Sequence, residues 1–135
     1  DLFTYALHHP ELFSSACPLS AATGPVSLEA TKANLKRAKP DANYTDAEIE
    51  AYYKRQSVLE LVNSVPDDQK KAVRWYIDCG DDDFLYEGNS MVHIAMRKKE
   101  IPHEFRISDG GHTWTYWRKA LPTVLGFVSE AFHQY

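Results

Sequence analysis

Apolar residues change their spacing several times along this 135-residue chain, and each change marks an element. Residues 1–9 place Leu2, Tyr5, Ala6 and His9 on one helical face, with Asp1 as candidate cap and Pro10 as the stop. Residues 12–20 (LFSSACPLS) predict a short strand whose lack of clean alternation implies burial on both faces, as in a parallel sheet. From Ala21 to about Asp67 the pattern turns polar, punctuated by Gly24, Pro25, Pro40 and Pro66. One helix is predicted from Ser27 to about Lys39. A second opens at Thr45, whose pairing with Glu48 matches a capping box, and runs through Arg55; residues 57–65 form a third, short candidate. The whole stretch reads as an excursion from the core. Order returns at 73–79 (VRWYIDC), a β-branched and aromatic strand ending at Gly80. A helix over 87–99 is expected to bury Met91, Ile94 and Ala95; a strand follows at 103–107. The closing helix, 114–132, carries Trp117, Leu121, Val124, Leu125 and Val128 at three-to-four spacing despite Pro122. Strand, helix, strand, helix with short connections predicts an α/β fold with a parallel sheet flanked by helices. About three strands is few for a sheet, which predicts that this one is incomplete.

Composition narrows the partners. The formal charge is −4, from 15 Lys+Arg against 19 Asp+Glu, and the basic residues are scattered apart from Arg97, Lys98 and Lys99, which argues against nucleic acid. No apolar run reaches the roughly 20 residues of a membrane span, and the first residues lack the pattern of a signal peptide, so a soluble piece is expected. Cys17 and Cys79 lack zinc-site spacing and read as buried, unreactive strand thiols, with a disulfide as the other reading. His8, His9, His93, His103 and His133 read as surface or helix-face residues. None pairs with a carboxylate at ligand spacing, so neither metal nor cofactor is expected.

In open parallel sheets, ligands bind outside the carboxyl ends of the strands. Two loops at such ends are loaded. The first reads Gly80, Asp81, Asp82, Asp83, Phe84, Leu85; the second reads Ser108, Asp109, Gly110, Gly111, His112, Thr113, Trp114. A histidine acting as general base needs an acceptor on its other ring nitrogen, and a carboxylate also stabilises the imidazolium that forms. The acidic run has two readings, a solvated turn or a catalytic acid. In the second reading the acid is Asp83, with Asp82 in reserve. His112 is either a loop histidine satisfied by backbone or the base. Trp114 is either packed or the wall of a substrate pocket, where an indole suits an aromatic or sugar ring. Ser14, Ser15, Ser20, Ser27 and Ser108 do not sit in a strand-to-helix elbow, so none is a candidate nucleophile.

The segments YALHHPELFSSACPLSA (5–21), GDDDFL (80–85) and GGHTWTYW (110–117) together resemble the C-terminal part of an α/β-hydrolase, most of all the esterase D and feruloyl esterase branch. That branch includes S-formylglutathione hydrolases and xylan-associated acetyl and feruloyl esterases. The resemblance spans nearly the whole chain and is weakest over 24–70. It implies that Asp83 is the acid of a Ser-His-Asp triad and that His112, 29 positions later, is its base. It also implies that residues 24–66 are a cap-like insertion in a single α/β-hydrolase domain of which 1–135 are the C-terminal part. The family's nucleophile stands in a G-x-S-x-G elbow just before the helix that ends in Y-A-L-x-x-P, and no such elbow occurs here.

The expectation is a serine carboxylesterase that needs its other half, the chain alone being inactive. The rival readings are a noncatalytic carbohydrate-binding or interaction fragment, and an α/β enzyme using the same pair for other proton transfers. The expected partners are a small or polysaccharide-linked ester, the N-terminal half of the domain, and a second copy if that half is lacking. A xylan-directed enzyme would be secreted or periplasmic, one acting on S-formylglutathione cytoplasmic.

Overall fold

The computed structural model describes residues 2–132. Three parallel strands lie in the order β1 (Ser15–Ala16), β2 (Arg74–Gly80), β3 (His103–Ser108). The register pairs Trp75 with His103 and Gly80 with Ser108, so β2 and β3 end level with one another. Helices α1 (Leu2–His8), α2 (Leu28–Ala38), α3 (Asp46–Gln56), α4 (Val58–Ser64), α5 (Asp67–Lys71), α6 (Tyr86–Lys98) and α7 (Trp114–Phe132) complete the described residues. None is long and apolar enough to cross a membrane.

The pleat of β2 sorts its side chains to two faces. Trp75 and Ile77 face the larger core, with Phe3 and Leu7 of α1, Val58 and Val62 of α4, and Val92 and Met96 of α6. Tyr76 faces the smaller one, with Val124 and Phe127 of α7. The central strand β2 is therefore covered on both sides, as its apolar sequence requires, whereas β3 alternates between half-buried and exposed positions and ends exposed. The expected helix starts are real: Ser27 and Ser57 cap α2 and α4 through their hydroxyls, and Thr45 with Glu48 forms the capping box of α3.

Several expectations need correction. The strand over 12–20 contracts to two residues plus a bridge from Leu19 to Asp78, because Pro10–Leu12 curl into a 3-10 turn and Pro18 has no N–H to offer a ladder. In α1 the buried face is Phe3, Ala6 and Leu7; Tyr5 is 53% exposed and packs sideways on His9 and Phe13. In α6, Val92, Ala95 and Met96 are buried and Ile94 points outward. In α7, Tyr116, Val124 and Phe127 are buried, while Leu121 and Leu125 stay exposed. Each of these helices carries two apolar stripes, and tertiary packing selects one. The polar stretch is not uniform either: α2 and α3 are largely exposed, but Val58, Leu61 and Val62 of α4 belong to the core. The five-residue α5 was not anticipated; its Lys70 is buried, donating to the Val62 carbonyl and pairing with Asp67. Both cysteines are free thiols. Cys79 is buried as expected, its thiol pushed up to about 12 by burial and by Asp83 and Asp78, but Cys17 is only half-buried and lies one residue past β1. Asp1 and His133 lie outside the described residues.

Candidate active site

The level ends of β2 and β3 bring the two loaded loops side by side, and glycines let them touch. A Cβ on Gly80 would lie 2.1 Å from the Gly110 carbonyl oxygen, and Gly110 itself has φ +139 with the Tyr116 ring behind it. Across this contact the Asp81 amide donates to the Ser108 carbonyl (3.0 Å) and the Asp82 amide to the Gly110 carbonyl (2.9 Å). The Gly110 amide in turn donates to Asp81 Oδ1 (3.0 Å). The acid-bearing and histidine-bearing loops are thus laced together by backbone.

Lacing fixes the side chains. Asp83 is buried and its Oδ2 lies 3.0 Å from His112 Nδ1. Its Oδ1 accepts from the Leu85 amide (2.9 Å). Burial pushes the Asp83 carboxyl up, but the Leu85 amide, the Ser20 hydroxyl and His112 together outweigh it and hold the group below its ordinary range. An ionised Asp83 facing Nδ1 selects the tautomer with the proton on Nδ1 and the lone pair on Nε2. The His112 side chain is 37% exposed, and among the described residues Nε2 has no hydrogen-bond partner. That is an imidazole fixed on one nitrogen and open on the other.

Aromatic rings frame the imidazole. Phe84, 75% exposed, lies 5.0 Å from it; Trp117 stands edge-on at 4.9 Å; Trp114, 72% exposed, stands edge-on to Trp117 at 5.2 Å. Among the described residues Trp114 is not packed into the core. Trp117, expected in the core stripe of α7, is half-buried against His112 and donates from its indole to the Ser20 hydroxyl (3.0 Å). Ser20 and Trp117 are the parts that sequence reasoning missed. They lie 97 positions apart, and no local signal joins them.

Two further groups lie nearby or apart. Asp81, Asp82 and Asp109 can bring carboxylate oxygens within 4.8 Å of one another; all three are exposed, and Asp81 is already engaged with the Gly110 amide. His93 and His103, expected as simple surface residues, are half-buried partners: His93 Nδ1 lies 2.8 Å from His103 Nε2, and His93 stacks on Phe105. They belong to α6 and the start of β3, away from the laced loops.

A sequence profile for putative esterases matches residues 3–128. Over 75 residues the chain is 26% identical to an acetyl esterase of Caldicellulosiruptor saccharolyticus, a stretch that is 56% of this chain and 28% of that protein. Among solved structures, a ferulic acid esterase superposes with a TM-score of 0.72 at 31% identity, covering 96% of this chain and 47% of its own. The S-formylglutathione hydrolase of Staphylococcus aureus shares the fold, with a TM-score of 0.66 at 22% identity over 93% of this chain and 48% of its own. The chain spans about half the length of these solved relatives and less of the curated one.

Proposed function

The chain belongs to the putative esterase family, and from that premise we propose that it supplies the acid and the base of a carboxylic-ester hydrolase. The observation that carries the proposal is the 3.0 Å contact between His112 Nδ1 and the buried Asp83 carboxylate, at the carboxyl ends of adjacent parallel strands, with Nε2 left open. In this reading His112 Nε2 takes the proton of a serine nucleophile as it attacks the ester carbonyl, then returns it to the leaving alcohol. Asp83 holds the Nδ1–H tautomer and stabilises the imidazolium between the two transfers. Water repeats the cycle to release the acid.

The serine comes from outside these 135 residues, which contain no G-x-S-x-G elbow. The surface supports that requirement. Among the described residues β1 pairs only with β2, leaving its other edge open, and Leu121, Leu125 and Phe132 lie exposed along one face of α7. We assign that surface to the other half of the domain, and we expect the chain alone to be inactive. Phe84 against His112, and Trp114 one ring further out against Trp117, offer exposed flat apolar faces, a surface suited to a feruloyl ring or to the sugar of an acetylated polysaccharide. The names of the ferulic acid and acetyl esterases to which the chain is similar point the same way.

Hydrolysis of p-nitrophenyl acetate by the full-length protein tests the proposal. His112→Ala should lower kcat by about 10³-fold or more with the melting temperature preserved. Turnover within a few fold of the unsubstituted protein would remove His112 from the mechanism.

A further inference from the structure

Ser20 is unsuited to be a nucleophile, yet it sits at the junction of the site. It is 4% exposed, four residues past β1, with its backbone in the left-handed region at φ 48, which a residue with a side chain adopts at a cost. Its amide donates to the Asp78 carbonyl (2.8 Å), and the preceding Leu19 bridges to the same residue, so this strained turn is clamped to β2. The hydroxyl it presents has neighbours from two other elements. It accepts from the Trp117 indole (3.0 Å), and it is close enough to the Asp83 carboxylate to help hold that group below its ordinary range.

We propose that Ser20 is a positioning residue for the acid–imidazole pair, its single hydroxyl orienting the Asp83 carboxylate on one side and holding Trp117 against the His112 ring on the other. The inference rests on the reading of Asp83 and His112 as triad members. Its physical content is a shared anchor. Without the hydroxyl, the carboxylate keeps the Leu85 amide and His112 as donors but loses the third, so it protonates at higher pH. Trp117 simultaneously loses the acceptor that fixes its indole, and the edge-on contact with His112 at 4.9 Å is no longer enforced. Both effects loosen the orientation of the base without touching the substrate.

Ser20→Gly in the full-length protein is the discriminating variant, because glycine adopts φ 48 without strain and only the hydroxymethyl group is removed. The expected result with p-nitrophenyl acetate is a kcat about tenfold lower, as for the loss of other outer positioning groups, with KM changed less than about twofold. The acid limb of the kcat/KM profile moves to higher pH and the melting temperature stays near that of the unsubstituted protein. Unchanged kcat and an unchanged profile would overturn the proposal. So would a rate loss matched by a lower melting temperature with the acid limb in place, which is what a packing role would give. Full turnover in His112→Ala would instead defeat the triad reading itself, whatever Ser20→Gly does.

Discussion

In the proposed mechanism His112 carries orientation on one nitrogen and chemistry on the other, and its contact with Asp83 sets which is which. Because the Asp83 carboxyl is held below its ordinary range in the folded protein, its ionised form stabilises the fold at every pH above the ordinary aspartate value of about 4. That contribution disappears as pH falls through the depressed native value. Melting temperatures of the full-length protein and its Asp83→Asn variant should therefore differ most above the ordinary aspartate value of about 4 and converge as the pH falls through the depressed native value. A difference that stays constant across the acid range would show that the carboxylate's charge is not what the fold uses. Trp114 makes a separate prediction: it is 72% exposed and stands edge-on to Trp117, the ring against His112, so in the proposed site Trp114→Ala should raise KM for a feruloyl ester about tenfold, the loss of roughly 1.4 kcal/mol of binding, with little change in Tm. An unaltered KM would place the substrate elsewhere. The approach of Asp83 to His112 was legible in the sequence because each follows a glycine turn at a strand exit. Ser20 and Trp117 were not, since a bond between residues 97 positions apart exists only once the chain has folded.

At the scale of elements, the site depends on how closely the exits of β2 and β3 approach. The Cβ of Gly80→Ala would meet the Gly110 carbonyl oxygen at 2.1 Å and its carbon at 2.7 Å, backbone atoms that cannot swing aside. The loops must part, at a cost of about 1–3 kcal/mol in stability. Asp83 and His112 ride on those loops, so ester turnover should fall by far more than the stability change alone would predict. Calorimetry beside a rate assay of Gly80→Ala checks this, and a destabilised variant of normal activity would contradict it. Strands β2 and β3 were legible because their runs stop at Gly80 and at Ser108 with little ambiguity, whereas β1 was overread because a 3-10 turn and Pro18 cut it short. The buried faces of the helices were harder to read. In α7 the stripe through Leu121 and Leu125 is as periodic as the one through Val124 and Phe127, and the choice between them lies in the sheet that α7 meets. Lys70 shows the same limit from the opposite side. A lysine in a polar run has no sequence mark of burial; the Val62 carbonyl and Asp67 make its burial tolerable.

Among the described residues the molecule is a sheet whose central strand is covered on both faces and whose edge strands β1 and β3 each pair on one side only, with an apolar stripe of α7 beside its smaller core. Such an edge and stripe drive association when nothing else covers them. The 135-residue chain by itself should therefore self-associate in sedimentation, and the double variant Leu121→Glu, Leu125→Glu should shift it towards monomer. In the full-length protein the same pair should destabilise, because there the stripe is proposed to be covered. A monodisperse, cooperatively melting monomer of residues 1–135 would contradict the assignment of that surface. The small sheet was visible in the strand count, and three parallel strands are what the structure contains among the described residues.

The account stands on the identity of the acid, and the acidic triplet offers its own control. In the full-length protein, kcat/KM for p-nitrophenyl acetate should fall by about three to four orders of magnitude in Asp83→Asn, and Asp82→Asn, whose side chain is exposed, should stay within about twofold of the unsubstituted protein. The reverse ranking, or two variants of equal activity, would contradict the assignment of the Asp83–His112 pair as the catalytic acid and base.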